Sequence, residues 1–354
     1  HADMSALLAG LDAEGLLTDE RPAFADPTVL APGTTFVGHN AAVVRGHTAA
    51  VLIDPFLLPA SPRYPTGYQP LLVPDLGPVD AVLITHGHPD HADPGSLLRL
   101  PRTVPVVVPV VEHETVLAQD LAHRLDELGF TDVRPRPWGA VERFGDVTVQ
   151  VLPFYGEQPT DGARLHPDTV NAGNTYVVRT PAQAMAFVAD GGTDDRSSVI
   201  GAGARHCAQH GPVDLVFAGY RGWYTTAAEL LRSSVARYFL FVPPDRWSDR
   251  MQLMNDAEGA VRTAEAFGAP TLIPYADGGA PWYWELGLGP RLDEAPMERL
   301  GFDPFPERVH DAAAALGAPV EVLCLRPGQV LDPHGAVHDL LGHTWPYPPV
   351  DLPT

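Results

Sequence analysis

Residues 85–94 read THGHPDHADP and follow directly on the apolar run DAVLI of residues 80–84. The run is short, β-branched and apolar, which predicts a buried strand. The ten residues after it hold three histidines and two aspartates, with His86, His88, Asp90 and His91 at the spacing HxHxDH. Alternate side chains of an extended segment point the same way. A strand that ends in a tight turn therefore aims 86, 88 and 90 inward and brings 91 round from the turn. That mixture of imidazole and carboxylate suits two neighbouring metal ions better than one tetrahedral structural zinc. HxH or DH alone would carry little weight, but the whole string behind an apolar strand defines a metal site.

The rest of the composition fits an enzyme-sized globular chain. With 354 residues, 45% hydrophobic and 19% charged, it can bury a sizeable core. The net charge of −21, from 23 basic and 44 acidic residues, repels nucleic acid and anionic membrane, and no basic stripe offsets it. No apolar run approaches the roughly 18 residues of a membrane span. No signal-peptide pattern opens the chain, and His1-Ala2-Asp3 ahead of Met4 reads as a cloning remnant. Cys207 and Cys324 stand far apart in no metal or redox motif, so both are expected reduced in a cytoplasmic protein.

Along the chain, residues 34–54 read as short strands with Gly turns ending at Asp54, and 57–79 as a Pro-rich loop. Residues 113–128 carry helical periodicity. Strand patterns recur at VTVQVLPF, NTYVVRT, QAMAFVADGG, VDLVFAG and PTLIPYADGG, with helices expected near 196–207, 225–235 and 256–267. This order predicts two mixed sheets packed face to face with helices outside, an α/β sandwich. The expected division is an N-terminal extension (1–30), a catalytic domain (31–290) and a Pro-rich C-terminal extension (291–354) packed on the same domain.

These landmarks resemble the metallo-β-lactamase superfamily, in its lactone-hydrolase-like branch, over roughly residues 34–280. GHN (38–40) and VLIDP (51–55) resemble its entry strands, and THGHPDH its main metal motif. FVADGG (187–192) resembles the strand whose aspartate is shared by two metals, which implies that role for Asp190. Two positions depart from the hydrolase pattern. After the middle strand, where a histidine is usual, the chain reads VQVLPFYGEQP, whose first strong ligand is Glu157. At the last strand it reads PYADGG, offering Asp277.

Carboxylate in place of imidazole favours iron or manganese over zinc. The stretches PFYGE (153–157) and YADGGAPWYW (275–284) resemble diiron oxygenases of the chloramphenicol-pathway β-hydroxylase type. That resemblance implies His86, His88, Glu157 and Asp190 at one metal, with Asp90, His91 and the shared Asp190 at the other. Asp277 or Asp256 would complete the second set, or no further residue would. His166 in ARLHPDTV competes with Glu157 for the middle position. His39 is a candidate hydrogen-bond partner of a ligand, and Asp54 a brace for the metal loop rather than a ligand. The remaining histidines, including His206, His210, His334 and His343, read as surface residues.

Two enzyme classes follow, and one bland reading. The first is a diiron oxygenase that uses O2 and an external electron donor to oxidise a small organic substrate, free or tethered to a carrier. The second is a zinc- or manganese-dependent hydrolase of a lactone, amide or phosphodiester, with Asp90 as the catalytic carboxylate. The third is a binding protein on a degenerate hydrolase scaffold, against which the intact HxHxDH argues. Loop aromatics in GYRGWY (219–224) and APWYWELG (280–287) could wall the substrate or simply pack.

Overall fold

In the strand Asn174–Arg179 all side chains but the last are buried, yet they divide between two cores. Tyr176 and Val178 point into one apolar cluster, Val177 into another. A strand buried on both faces must be covered on both, and that requirement sets the order of layers. A computed structural model describes residues 2–14, 31–57, 71–115, 118–156, 171–231, 236–276 and 306–339.

The first sheet contains β1 (Gly33–Gly38), β2 (Ala41–Arg45), β3 (Ala50–Ile53), β4 (Ala81–Leu83), β5 (Val106–Pro109) and β6 (Val133–Arg136). The second contains β7 (Val141–Phe144), β8 (Val147–Pro153), β9 (Asn174–Arg179), β10 (Ala184–Ala189), β11 (Leu215–Ala218), β14 (Thr271–Pro274) and β15 (Glu321–Val322). A small antiparallel pair, β12 (Tyr224–Thr226) with β13 (Arg250–Gln252), stands apart from both. Finally β16 (Gln329–Leu331) and β17 (Val337–Asp339) return to the first sheet beside β1. The sheet orders are β17-β16-β1-β2-β3-β4-β5-β6 and β15-β14-β11-β10-β9-β8-β7.

The inner faces share one core, with Phe36, Val51, Ile53 and Leu83 from the first sheet against Val149, Tyr176, Phe187 and Ile273 from the second. The helices are α1 (Ala2–Ala13), α2 (Pro94–Leu97), α3 (Leu121–Glu127), α4 (Val199–His210), α5 (Ala227–Leu230), α6 (Ala257–Ala266) and α7 (Glu307–Leu316). Of these α4, α6 and α7 cover the outer face of the second sheet. On the first sheet's outer face, α2 and α3 do the same through Leu97, Leu121 and Leu125. The result is the two-sheet sandwich with helices outside.

Several local expectations shift. The helix expected over 113–128 is confined to Leu121–Glu127, because the Asp120 carboxylate accepts from the Ala122 and His123 N–H groups and caps the helix there. Among the described residues of the helix expected near 225–235, one turn forms over Ala227–Leu230, and a 3-10 turn covers Ala236–Phe241. The described tail, 306–339, contributes strands to both sheets.

Candidate metal centre

Strands β3, β4 and β5 run parallel, as do β10, β11 and β14. The carboxyl ends of parallel strands are where open α/β sheets place their sites. At the end of β3, Asp54 takes a left-handed backbone (φ 39°) and its N–H donates to Leu83 O at 2.9 Å. At the end of β10, Ala189 is also left-handed (φ 50°), its N–H donating to Tyr275 Oη at 2.9 Å. These two turns carry Asp54 and Asp190 toward the same place. The metal loop closes on itself as the N–H groups of His91 and Ala92 both donate to His88 O. Asp93 then caps α2 through the Gly95 and Ser96 N–H groups.

The structure brings together His86, His88, Asp90, His91 and Asp190. Donor atoms of His86, His88 and Asp190 lie within 4.8 Å of one another. Asp190 Oδ2 sits 3.7 Å from His86 Nε2 and 3.3 Å from His91 Nε2, and His91 Nε2 is 3.9 Å from Asp90 Oδ2. One carboxylate thus faces two imidazoles. Both His86 and His91 are fully buried.

Hydrogen bonds fix which ring nitrogen faces inward. Thr85 Oγ1 donates its single proton to Asp54 Oδ2 at 2.6 Å, so toward His86 Nδ1, 3.0 Å away, it accepts. His91 Nδ1 donates to the same Asp54 oxygen at 2.7 Å. Both histidines are thereby turned with Nε2 toward Asp190. Asp54 also accepts the Thr85 N–H at 2.7 Å, which is the bracing role its position suggested. His39 Nε2 lies 2.8 Å from Asp90 Oδ2 and so pairs with a candidate ligand.

Whether these residues suit a metal pair is answered by what they leave unmade. His86 Nε2, His91 Nε2 and Asp190 Oδ1 are buried and have no hydrogen-bond partner among the described residues. Three such atoms around one point are costly unless something outside the chain satisfies them. Charge follows the same logic. Burial, then His91 and His88, hold His86 well below the usual histidine range, and burial brings His88 down to about 4, so both offer neutral rings. Burial opposes a charge on His91, but Asp190, Asp90 and Asp54 lift it well above that range. Burial likewise opposes the charged form of Asp90, yet His91 and His39 keep its carboxyl well below the usual value. The donor set fits metal binding, with His86, His88 and Asp190 close enough together to hold one ion.

Glu157, His166 and Asp277 lie outside the described residues. The chain reaches the first two from Gly156, which packs on the Asp190 loop: Gly192 N–H donates to Tyr155 O at 2.7 Å. It reaches Asp277 from Ala276, whose N–H donates to His39 O at 2.8 Å. Asp256, the other option for the last ligand, caps α6 by accepting the Gly259 N–H and also accepts from Tyr224 Oη at 2.6 Å.

Three neighbours of the site carried no signal of their own. Tyr238 Oη lies 2.8 Å from His88 Nε2, Asn171 donates to that hydroxyl at 3.2 Å, and Phe154 stacks on His86 with centroids 5.2 Å apart. Tyr238 is 150 residues from His88, and only the fold joins them. His206 is a correction: far from being on the surface, it is buried in α4, where Arg179 donates to its Nε2 at 3.2 Å.

Two sheets with helices outside, and a buried His/Asp cluster at their strand ends, define a metallo-β-lactamase fold. The chain belongs to that superfamily: the Beta-lactamase superfamily domain matches residues 49–275. A 4-amino-L-phenylalanyl-[CmlP-peptidyl-carrier-protein] 3-hydroxylase from Streptomyces venezuelae is 28% identical over 253 residues, 70% of this chain and 44% of the hydroxylase. The crystal structure of CmlA, a diiron β-hydroxylase from the same organism, superposes with a TM-score of 0.63 at 24% identity, over 84% of this chain and 54% of CmlA. A possible metal-dependent hydrolase from Veillonella parvula shares the fold at 13% identity, with a TM-score of 0.54 over 88% of this chain and 100% of the hydrolase. The chain spans about half the length of the hydroxylase it matches. Among the described residues no helix is long and apolar enough to cross a membrane.

Proposed function

We propose that the chain is a diiron enzyme that uses O2 to oxidise, most simply to hydroxylate, a small organic substrate, free or tethered to a carrier protein. The observation that carries this reading is Asp190, held between His86 Nε2 at 3.7 Å and His91 Nε2 at 3.3 Å, its other oxygen without a hydrogen-bond partner among the described residues. The similarity to a hydroxylase of a carrier-bound amino acid supports the tethered substrate, and the likeness to the diiron β-hydroxylase CmlA supports iron. The packing of Gly156 on Gly192 supports Glu157 as the middle ligand, since it leads the chain out beside the Asp190 loop. A hard carboxylate at that position tilts the set toward iron.

In this reading His86, His88, Glu157 and Asp190 hold one ion, and Asp90, His91 and Asp190 the other, with Asp277 as its further ligand. A bound iron pair supplies the activation of O2 that side chains cannot, with electrons from an external donor. Asp54 and Thr85 hold the His86 and His91 rings in orientation. His39 holds Asp90 and can take or return a proton at Asp90 Oδ2. Phe154, stacked on His86, keeps water from that side of the ring.

The test is O2 uptake by protein reconstituted anaerobically with Fe(II) and then given a chemical reductant. Uptake that needs iron and vanishes in Asp190→Ala is the expected result. Full metal occupancy with no uptake under any reductant would sink the proposal.

One observation favours a hydrolase instead. The His39–Asp90 pair, at 2.8 Å, is also what would be needed to deprotonate an attacking water. Cleavage of a lactone or phosphodiester by the zinc-loaded protein is the sign of that reading.

A further inference from the structure

Tyr238 reaches His88 from the 3-10 turn Ala236–Phe241, and the residue before it on that turn is Arg237. Partly buried arginines elsewhere in the fold are engaged. Arg45 donates to Leu76 O at 2.6 Å, Arg102 to Leu100 O at 2.8 Å, and Arg134 to Asp132 at 2.7 Å. Arg237 differs. Its Nε–H is buried and meets no acceptor among the described residues. Its guanidinium carbon lies 5.8 Å from the Tyr238 ring centroid, and that ring lies 6.0 Å from the His88 ring. The charge is close enough to count among those opposing protonation of His88.

A guanidinium N–H removed from water without an acceptor loses more than an ordinary hydrogen bond returns. The chain carries 44 carboxylate residues, so acceptors are not scarce. Leaving this Nε–H without an acceptor among the described residues, beside a candidate metal ligand, makes sense if its acceptor arrives with a bound molecule. The guanidinium fork matches a planar or tetrahedral oxyanion and donates to it through two N–H groups. The same turn belongs to an apolar cluster in which Trp223, Phe239, Phe241 and Trp247 are only partly buried, with Phe239 and Trp247 rings 4.3 Å apart. An organic anion with an apolar body fits beside them better than an inorganic one.

We propose that Arg237 is a substrate-binding residue, whose guanidinium receives an oxyanion of an organic ligand, carboxylate or phosphate ester, and so fixes that ligand beside the His88 side of the metal centre. The inference rests on the oxygenase reading for its substrate but not for its chemistry: the anion site stands or falls by its own geometry.

The experiment is calorimetric titration of phenylacetate, phenyl phosphate and the neutral phenylacetamide into anaerobic metal-loaded protein. The wild type is compared with Arg237→Met, which keeps the apolar stem, and Arg237→Lys, which keeps charge but not the fork. Any direct contact of an anion with metal is common to all three proteins, so the differences report on residue 237. Binding of at least one oxyanion that weakens roughly 10- to 100-fold in Arg237→Met and less in Arg237→Lys is expected, with phenylacetamide unaffected. A preference for phenylacetate assigns the anion to a carboxylate of the substrate; a preference for phenyl phosphate assigns it to a phosphate ester, as in a carrier's prosthetic arm. No measurable oxyanion binding to the wild type, or equal binding in wild type and Arg237→Met with both shown folded by thermal melting, overturns the proposal. Metal content and O2 uptake of the same samples separate the two readings. Two irons with O2 uptake but no dependence on Arg237 removes this inference alone. An Arg237-dependent oxyanion on a zinc protein removes the oxygenase alone.

Discussion

His91 Nδ1 donates to Asp54 Oδ2 across 2.7 Å, and both side chains are wholly shut off from solvent. Asp54 is not placed to bind metal; it fixes the ring that is. Because the same carboxylate accepts from Thr85, which in turn accepts from His86, a single buried aspartate orients one histidine in each proposed ligand set. Asp54→Asn keeps the shape but loses the charge. Metal affinity at the His91 position should fall roughly 10- to 100-fold, and the His86–His88–Asp190 set should lose less, because Asp54 reaches His86 only through Thr85. Metal titration followed by elemental analysis should show one tight and one weakened site; two unchanged sites would remove Asp54 from the account.

The three carboxylates Asp190, Asp90 and Asp54 raise His91 above its usual value although burial works the other way. In the metal-free protein those carboxylates favour the protonated ring of His91. A metal ion that takes Nε2 competes with that proton, so metal affinity should increase as pH rises and binding should release protons. Calorimetry in two buffers of different ionisation heat measures that proton directly. Zero release at pH 7 would mean that His91 is not a ligand.

Gly156 has φ 89°, and a Cβ there would sit 2.7 Å from Gly192 N. Gly156→Ala has both a left-handed backbone and a backbone clash to accommodate, at about 1–3 kcal/mol. Denaturant unfolding should show that loss. Metal retention should fall with it, because the displaced segment leads into residue 157 on one side and the Asp190 loop on the other.

His206 makes a prediction far from the metals. Burial, then Arg179 and His210, lowers its pKa to about 4, against an unfolded value near 6.5. Between those values the unfolded chain binds a proton that the folded chain does not, so stability falls as pH drops from 6.5 toward 4 and levels off below. His206→Phe, beside Phe267 at a centroid distance of 5.9 Å, should flatten that slope. Urea midpoints at pH 7, 6 and 5 for both proteins provide the check; parallel curves would show that His206 titrates normally.

What could be read before folding was local. His86, His88, Asp90 and His91 lie in one turn, so spacing alone joined them, and the sandwich followed from strands that alternate or are buried on both faces. Asp190 needed the resemblance, since it comes from the other sheet. Tyr238, Asn171 and Phe154 left no trace because they meet the histidines only through tertiary packing. The strand Val133–Arg136 escaped notice because Pro135 argues against a strand interior; it is tolerated there because β6 is the sheet's edge. His206 was misjudged because a lone histidine in a helix looks the same in sequence whether it faces water or Arg179.

An iron pair at this site is what the proposed oxidative chemistry depends on. The most direct measurement is metal content per chain, by elemental analysis of protein produced with iron, manganese and zinc all available. About two irons per chain, in a ferrous form that reacts with O2, is the predicted result. About two zincs, retained through purification and supporting ester or phosphodiester cleavage, would contradict it.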